Sequence, residues 1–152
     1  MTALTTQIMF YHLSVSPIEK AMPRLLEKIV ESGHRIILYL LDQSEIKKYD
    51  DILWTFSSRS FLGHAQHGEK FPELQPIILT NEEVNPNGAD ILVTLSSLEI
   101  PHLGSFAKLI NIFDGNDEEQ TQLARTSYKK YKQDGFDLTY WKQDEKGSWI
   151  KG

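Results

Sequence analysis

The stretch QIMFYHL, Gln7–Leu13, is apolar with aromatic and β-branched side chains, and it is short enough for a buried strand. Ser16 and Pro17 follow it and predict a helix start, with Ser16 as N-cap and Pro17 at the first helical position. Apolar residues at helical spacing continue to Gly33, which predicts the helix end. A buried strand followed directly by a helix is the repeating unit of α/β proteins.

The same alternation continues along the chain. Four more apolar runs predict strands at residues 35–41 (RIILYLL), 76–80 (PIILT), 90–95 (DILVTL) and 109–113 (LINIF). Helices are predicted at residues 42–53 and 116–132, and the second has acidic residues in its first turn and lysines in its last, as the helix dipole favours. Residues 136–141 (FDLTYW) are predicted as an edge strand or an extended packing segment. Apolar strands alternating with helices favour a mainly parallel sheet covered on both faces. We predict a single three-layer, doubly wound α/β domain over residues 1–152.

Composition narrows the possible functions. The chain has 152 residues, no cysteine and a formal net charge of −5. Disulfides, thiolate catalysis and zinc sites built on sulfur are therefore excluded. A mildly acidic protein is a poor candidate for general nucleic-acid binding, which needs a cationic surface. Neither a run of about 18 apolar residues nor a charged leader is present, so we expect a cytoplasmic protein without membrane association.

Nucleotide-binding motifs are absent. Neither G-x-G-x-x-G nor G-x-x-x-x-G-K-[ST] occurs, and the first strand-to-helix turn, residues 12–16, contains no glycine. The backbone there cannot approach a pyrophosphate closely, and Asp42 is better interpreted as a helix N-cap than as a ribose ligand. We predict no catalytic residue and no cofactor, and so a protein that is not an enzyme. The alternative is a nucleotide-dependent enzyme that uses the carboxyl ends of the strands, with Asp42 or Asp114 at a metal.

Two groups of side chains are candidate metal ligands. An acidic cluster follows the strand at 109–113 and could hold Mg²⁺, but helix capping explains it better; it comprises Asp114, Asp117, Glu118 and Glu119. His64 and His67 lie between glycines, which suggests an exposed loop, and no third ligand is evident nearby. We therefore expect no metal site.

The last predicted helix carries a cationic face. At 100° per residue, an arc of roughly 100° contains three cations and one aromatic ring; these are Arg125, Tyr128, Lys129 and Lys132. Carboxylates can pair with the cations while an apolar group packs beside the ring, so this face suits an acidic peptide with an apolar end. The alternatives are a solvated basic face, which is common, or a minor role in binding single-stranded DNA.

A second feature is the segment 53–61 (LWTFSSRSF), which has three aromatic residues close to Arg59. Exposed aromatic side chains beside an arginine are typical of protein–protein hot spots. A small satellite core beneath a loop is the alternative.

Several blocks in order resemble the chi subunits of bacterial DNA polymerase III, which are accessory proteins of the clamp loader. These blocks are residues 53–64 (LWTFSSRSFLGH), 87–93 (NGADILV), 112–120 (IFDGNDEEQ), 123–131 (LARTSYKKY) and 138–143 (LTYWKQ). The resemblance runs over most of the chain. The chain departs from the family at Thr121, where some relatives have a basic residue, and at Gly63, where relatives have proline.

The resemblance implies a non-catalytic bridge on a degenerate nucleotide-binding fold without a phosphate loop. Family members bind the psi subunit, which links them to the clamp loader, and the acidic, Phe-terminated tail of single-stranded DNA-binding protein. Carried over by position, Arg125, Tyr128 and Lys129 match the tail-binding residues, and geometry adds Lys132. Trp54 and Phe61 match the psi-binding surface. Contact with DNA is then expected to be indirect.

Overall fold

The computed structural model describes residues 6–56, 63–66, 68–69, 72–95 and 106–152. In these residues the strands are β1 (Gln7–Leu13), β2 (Ile36–Tyr39), β3 (His64–Gln66), β4 (Ile77–Thr80), β5 (Ile91–Leu95), β6 (Lys108–Asp114), β7 (Asp137–Gln143) and β8 (Trp149–Lys151). The helices are α1 (Ile18–Glu31), α2 (Gln43–Thr55) and α3 (Glu118–Gln133), with a 3₁₀ turn at Pro72–Leu74. No helix in the described part of the chain is long and apolar enough to cross a membrane.

The strands form one sheet in the order β3-β4-β2-β5-β6-β1-β7-β8. Strand β1 is parallel to β6 and β7, β4 is parallel to β2 and β3, and β8 is antiparallel to β7. The predicted α/β fold with a mainly parallel sheet is confirmed. The described chain divides into two compact units, residues 19–93 and residues 1–18 with 94–152. That the chain is a single domain stays a prediction.

In the unit of residues 19–93, strands β2 and β4 are almost entirely buried, as their continuous apolar runs predict. The helices of this unit have definite ends. Asp42 caps α2 by accepting from the Glu45 N–H at 3.0 Å, which confirms its interpretation as an N-cap. Gly33, at φ 92°, ends α1. Its N–H donates a hydrogen bond to the Val30 carbonyl, and the N–H of His34 donates to the Ile29 carbonyl.

In the other unit, β1 and β6 supply the core, with Ile8, Phe10 and Phe113 fully buried. Helix α3 begins at Glu118, two residues after the predicted start, because Asp117 caps it by accepting from the Gln120 N–H.

Two sequence expectations need correction. The segment predicted at 136–141 forms strand β7, Asp137–Gln143, but β7 lies between β1 and β8, so β8 forms the edge instead. Helix α1 begins at Ile18 rather than Pro17, and the Ser16 hydroxyl accepts from Gln143 Nε2 at 3.1 Å instead of capping the helix. In both cases contacts with the C-terminal hairpin, invisible in local sequence, decide the outcome.

Candidate functional site

Helix α3 has one face in the core and one in solvent. Ala124 and Tyr131 are buried, whereas Arg125, Lys129 and Lys132 are exposed. The cationic face, by which we mean Arg125, Tyr128, Lys129 and Lys132, therefore lies at the protein surface. Among the described residues, none of its three cations has a carboxylate within 4.0 Å. These charges are available to an external anion.

Tyr128 connects this face to the sheet. Its ring is half-buried, with its centroid 5.6 Å from that of Phe10 on β1 and 6.1 Å from that of Tyr140 on β7. Phe10 and Tyr140 are partners in the β1–β7 register, and their rings stack at 6.4 Å. Three aromatic rings from three elements thus hold one another in place beside the cations. The position of Tyr128 is fixed by packing and does not need a ligand.

The rings of Phe10, Tyr128 and Tyr140 form what we call the aromatic layer. A histidine lies next to it, at the carboxyl end of β1. The Nδ1 atom of His12 is 2.5 Å from the Tyr140 hydroxyl. A Cβ at Gly115 would lie 1.9 Å from His12 Nε2, so only glycine allows the turn between β6 and α3 to pass this close to the ring. An open depression of about 670 Å³ lies beside that turn, with Gly115, Glu118 and Arg125 in its lining.

Burial and nearby charges shift the pKa values of His12 and the Tyr140 hydroxyl. Burial lowers the pKa of His12, and the positive charges of Lys142 and Arg125 lower it further, against an opposite effect of Asp114. Burial raises the pKa of the Tyr140 hydroxyl, and the charge of Arg125 opposes that rise. Arg125 therefore influences the pKa values of both His12 and Tyr140.

Sequence reasoning missed His12, Tyr140 and Lys142. A signal was present for the last two, since they fall in the block 138–143 of the family resemblance. Their position beside His12 depends on the parallel pairing of β1 with β7, which aligns His12 with Lys142. Nothing in the local sequence fixes that register.

The turn between β1 and α1 is filled by a side chain of the same unit. The backbone N–H groups of Ser14, Val15 and Ser16 all donate to Gln143 Oε1, at 3.0, 3.0 and 3.1 Å. The Ser14 hydroxyl also donates to the Gln143 carbonyl at 2.8 Å, and Gln143 is only 5% exposed. Successive amide groups at this turn bind phosphate oxygens in nucleotide-binding folds. Here three successive N–H groups donate instead to the amide oxygen of a side chain.

Of the second sequence feature, Trp54 lies on α2, beside His64 of β3. Trp54 is 56% exposed, and its ring centroid is 4.7 Å from that of His64. His64 Nε2 lies 3.1 Å from Asp50 Oδ1, and the other oxygen of that carboxylate accepts from Gln66 Nε2 at 3.2 Å. Trp54 is thus an exposed ring with a polar, internally paired support. Phe61 and Arg59 lie outside the described residues.

The expectation of an exposed loop around His64 is wrong. Its side chain is completely buried and belongs to β3, which pairs with β4. Its imidazole lies against Asp50 inside the protein, so the flanking glycines do not expose it. His67 lies outside the described residues. The residues that the structure describes contain no group of three His, Asp or Glu side chains able to hold a metal ion.

The fold and this turn define a class: a small α/β protein with a mainly parallel sheet, whose first strand-to-helix turn is filled by its own glutamine. Sequence comparison gives the family within that class. Residues 5–139 match the family model described as DNA polymerase III chi subunit, HolC, and the chain belongs to this family. The resemblance noted in the sequence is therefore confirmed.

Individual relatives agree. The chain is 32% identical over 107 residues to the "Probable DNA polymerase III subunit chi" of Rickettsia prowazekii, an alignment that covers 70% of this chain but only 65% of that protein, slightly under two thirds of its length. It is 26% identical to the "DNA polymerase III subunit chi" of Escherichia coli over 125 residues, covering 82% of this chain and 84% of that one. The protein of the same name from Pseudomonas aeruginosa is 27% identical over 116 residues, covering 76% and 79%.

Proposed function

We propose that this protein is a non-catalytic replication adaptor that joins two partners. One surface, at Trp54 and Phe61, docks the psi subunit and through it the clamp loader. The cationic face on α3 holds the acidic, Phe-terminated C-terminal tail of single-stranded DNA-binding protein. Contact with DNA is then indirect, and the protein acts from the cytoplasm as one domain over residues 1–152. Family membership supports the replication context.

The observation that carries the proposal is the set of exposed, unpaired cations beside a fixed aromatic layer. Among the described residues, Arg125, Lys129 and Lys132 have no ion-pair partner. Surface cations with free guanidinium and ammonium groups suit carboxylates, and the half-buried Tyr128 ring gives an apolar group a place to pack. An acidic peptide that ends in an aromatic residue supplies both chemical groups.

Charge along α3 gives the bound tail a direction. Glu118 and Glu119 are exposed at the N-terminal end, whereas Lys129 and Lys132 are exposed in the C-terminal half. Carboxylates of the tail would be repelled at the first end and attracted at the second. We therefore expect the acidic block near Lys129 and Lys132, and the apolar end beside Tyr128.

Thr121 stands where some relatives have a basic residue that could contact the tail. Its hydroxyl donates to the Asp117 carbonyl at 2.9 Å, so it is engaged within the helix. Recognition of the tail in this protein then depends more heavily on Arg125. The other surface depends on Trp54, whose exposed ring has the character of an interface anchor.

The proposal is tested by calorimetric titration with an acidic, Phe-terminated peptide. Arg125→Ala should weaken binding by about 1–3 kcal/mol, the range for losing a charge-assisted pair. Arg24→Ala, which removes an exposed arginine from α1, is the matched control and should leave affinity unchanged. Equal affinity of the Arg125 variant and the parent protein would contradict the assignment.

A further inference from the structure

Strand β7 carries a fourth exposed cation towards the same site. Lys142 is exposed and is the register partner of His12. Alternation along the strand puts it on the same side as Tyr140, the side on which Tyr140 meets Tyr128 of α3. Lys142 therefore belongs to a different element from the cationic face but lies at the same aromatic layer.

Lys142 and Arg125 are like charges that come from two different elements of the same unit. Both act on His12, and Asp114 is the nearby carboxylate that acts in the opposite sense. Among the residues that the structure describes, neither cation has a carboxylate within 4.0 Å. Two cations brought towards one half-buried His–Tyr pair repel each other, and an anion bound between them would relieve that repulsion.

We propose that Lys142 is a further binding residue, which with Arg125 holds the terminal carboxylate of the acidic tail. This inference rests on the proposed function. It follows from the direction argued above: with the acidic block at Lys129 and Lys132, the aromatic end packs beside Tyr128 and Tyr140. The terminal carboxylate then lies between α3 and the carboxyl end of β7. The C-terminal end of the bound tail therefore contacts both α3 and β7.

The test compares Lys142→Gln with Lys151→Gln by calorimetry, using the acidic, Phe-terminated peptide. Lys151 is the matched control because it is also exposed but is the register partner of Trp141, on the opposite side of the sheet from Lys142. Lys142→Gln should weaken binding roughly fivefold at low ionic strength, the upper range for an exposed ion pair. Lys142→Arg should keep the affinity, and Lys151→Gln should leave it unchanged.

A peptide with an amidated C-terminus separates the terminal carboxylate from the acidic block. If Lys142 holds that carboxylate, Lys142→Gln should have no further effect on binding of the amide. An equal loss with both peptides would overturn this assignment, as would an unchanged affinity for the free acid. If Arg125→Ala is also without effect, the proposed function itself fails. A loss with Arg125→Ala alone overturns only the role of Lys142.

Discussion

On α3, Arg125, Lys129 and Lys132 have no carboxylate partner among the described residues, whereas around Trp54 the polar groups pair with one another. His64 and Gln66 both engage Asp50, and what they leave at the surface is an indole ring. The first surface offers charge to an anion, and the second offers an apolar ring to an apolar partner. Two surfaces of one small protein are therefore expected to bind by different physics, the first electrostatic and the second hydrophobic.

The largest expected effect comes from truncating the apolar surface. Trp54→Ala should weaken association with psi by about 2–4 kcal/mol, as for other aromatic hot spots, enough to abolish co-purification. Peptide binding should stay intact, because the cationic face is part of the other compact unit. Loss of both activities would indicate unfolding, which circular dichroism would detect. Retained co-purification would remove Trp54 from the psi-binding surface.

Phe61→Ala provides the companion measurement. It should also abolish co-purification with psi and leave peptide affinity unchanged.

Raising the salt concentration should weaken the two interactions to different extents, and this effect is intermediate in size. Raising NaCl from about 0.05 M to about 0.5 M shortens the screening length severalfold, so peptide affinity should fall roughly tenfold. Association with psi should change by less than about twofold, since burial of apolar surface is not screened. Equal salt dependence of the two affinities would show that the contrast between the surfaces is wrong.

The smallest effect is a shift in the titration of His12. A neighbouring cation disfavours the imidazolium, so removing it in Arg125→Ala or Lys142→Gln should raise the pKa of His12. A bound carboxylate stabilises the imidazolium, so adding the acidic peptide to the parent protein should also raise this pKa. NMR titration of the imidazole carbons measures both shifts. An unchanged pKa in the variants would mean that the two charges do not converge on His12.

The sequence predicted the elements whose cause is local. Strand β1 has the predicted bounds because its seven residues form one apolar run, and Asp42 caps its helix as predicted. Strands β3 and β8 were missed, since each has only three residues and gains its place from pairing with a neighbour. Short strands of that kind have no periodicity to detect.

The site residues also fall into those that local sequence can group and those that only the fold brings together. Helical spacing was enough to group Arg125, Tyr128 and Lys129, because one helix carries all three. His12 and Tyr140 are 128 residues apart and meet only through the register of two strands, so no local pattern brings them together. The glycine-free turn predicted no phosphate cradle from the sequence, but only the fold reveals that three of its N–H groups donate to Gln143 Oε1.

The most direct test of the account is an amide NMR titration with the acidic, Phe-terminated peptide. We predict that perturbed backbone resonances cluster at Arg125, Tyr128 and Lys129, while the indole N–H of Trp54 keeps its chemical shift. Perturbation centred on Trp54, with the α3 resonances unmoved, would contradict it.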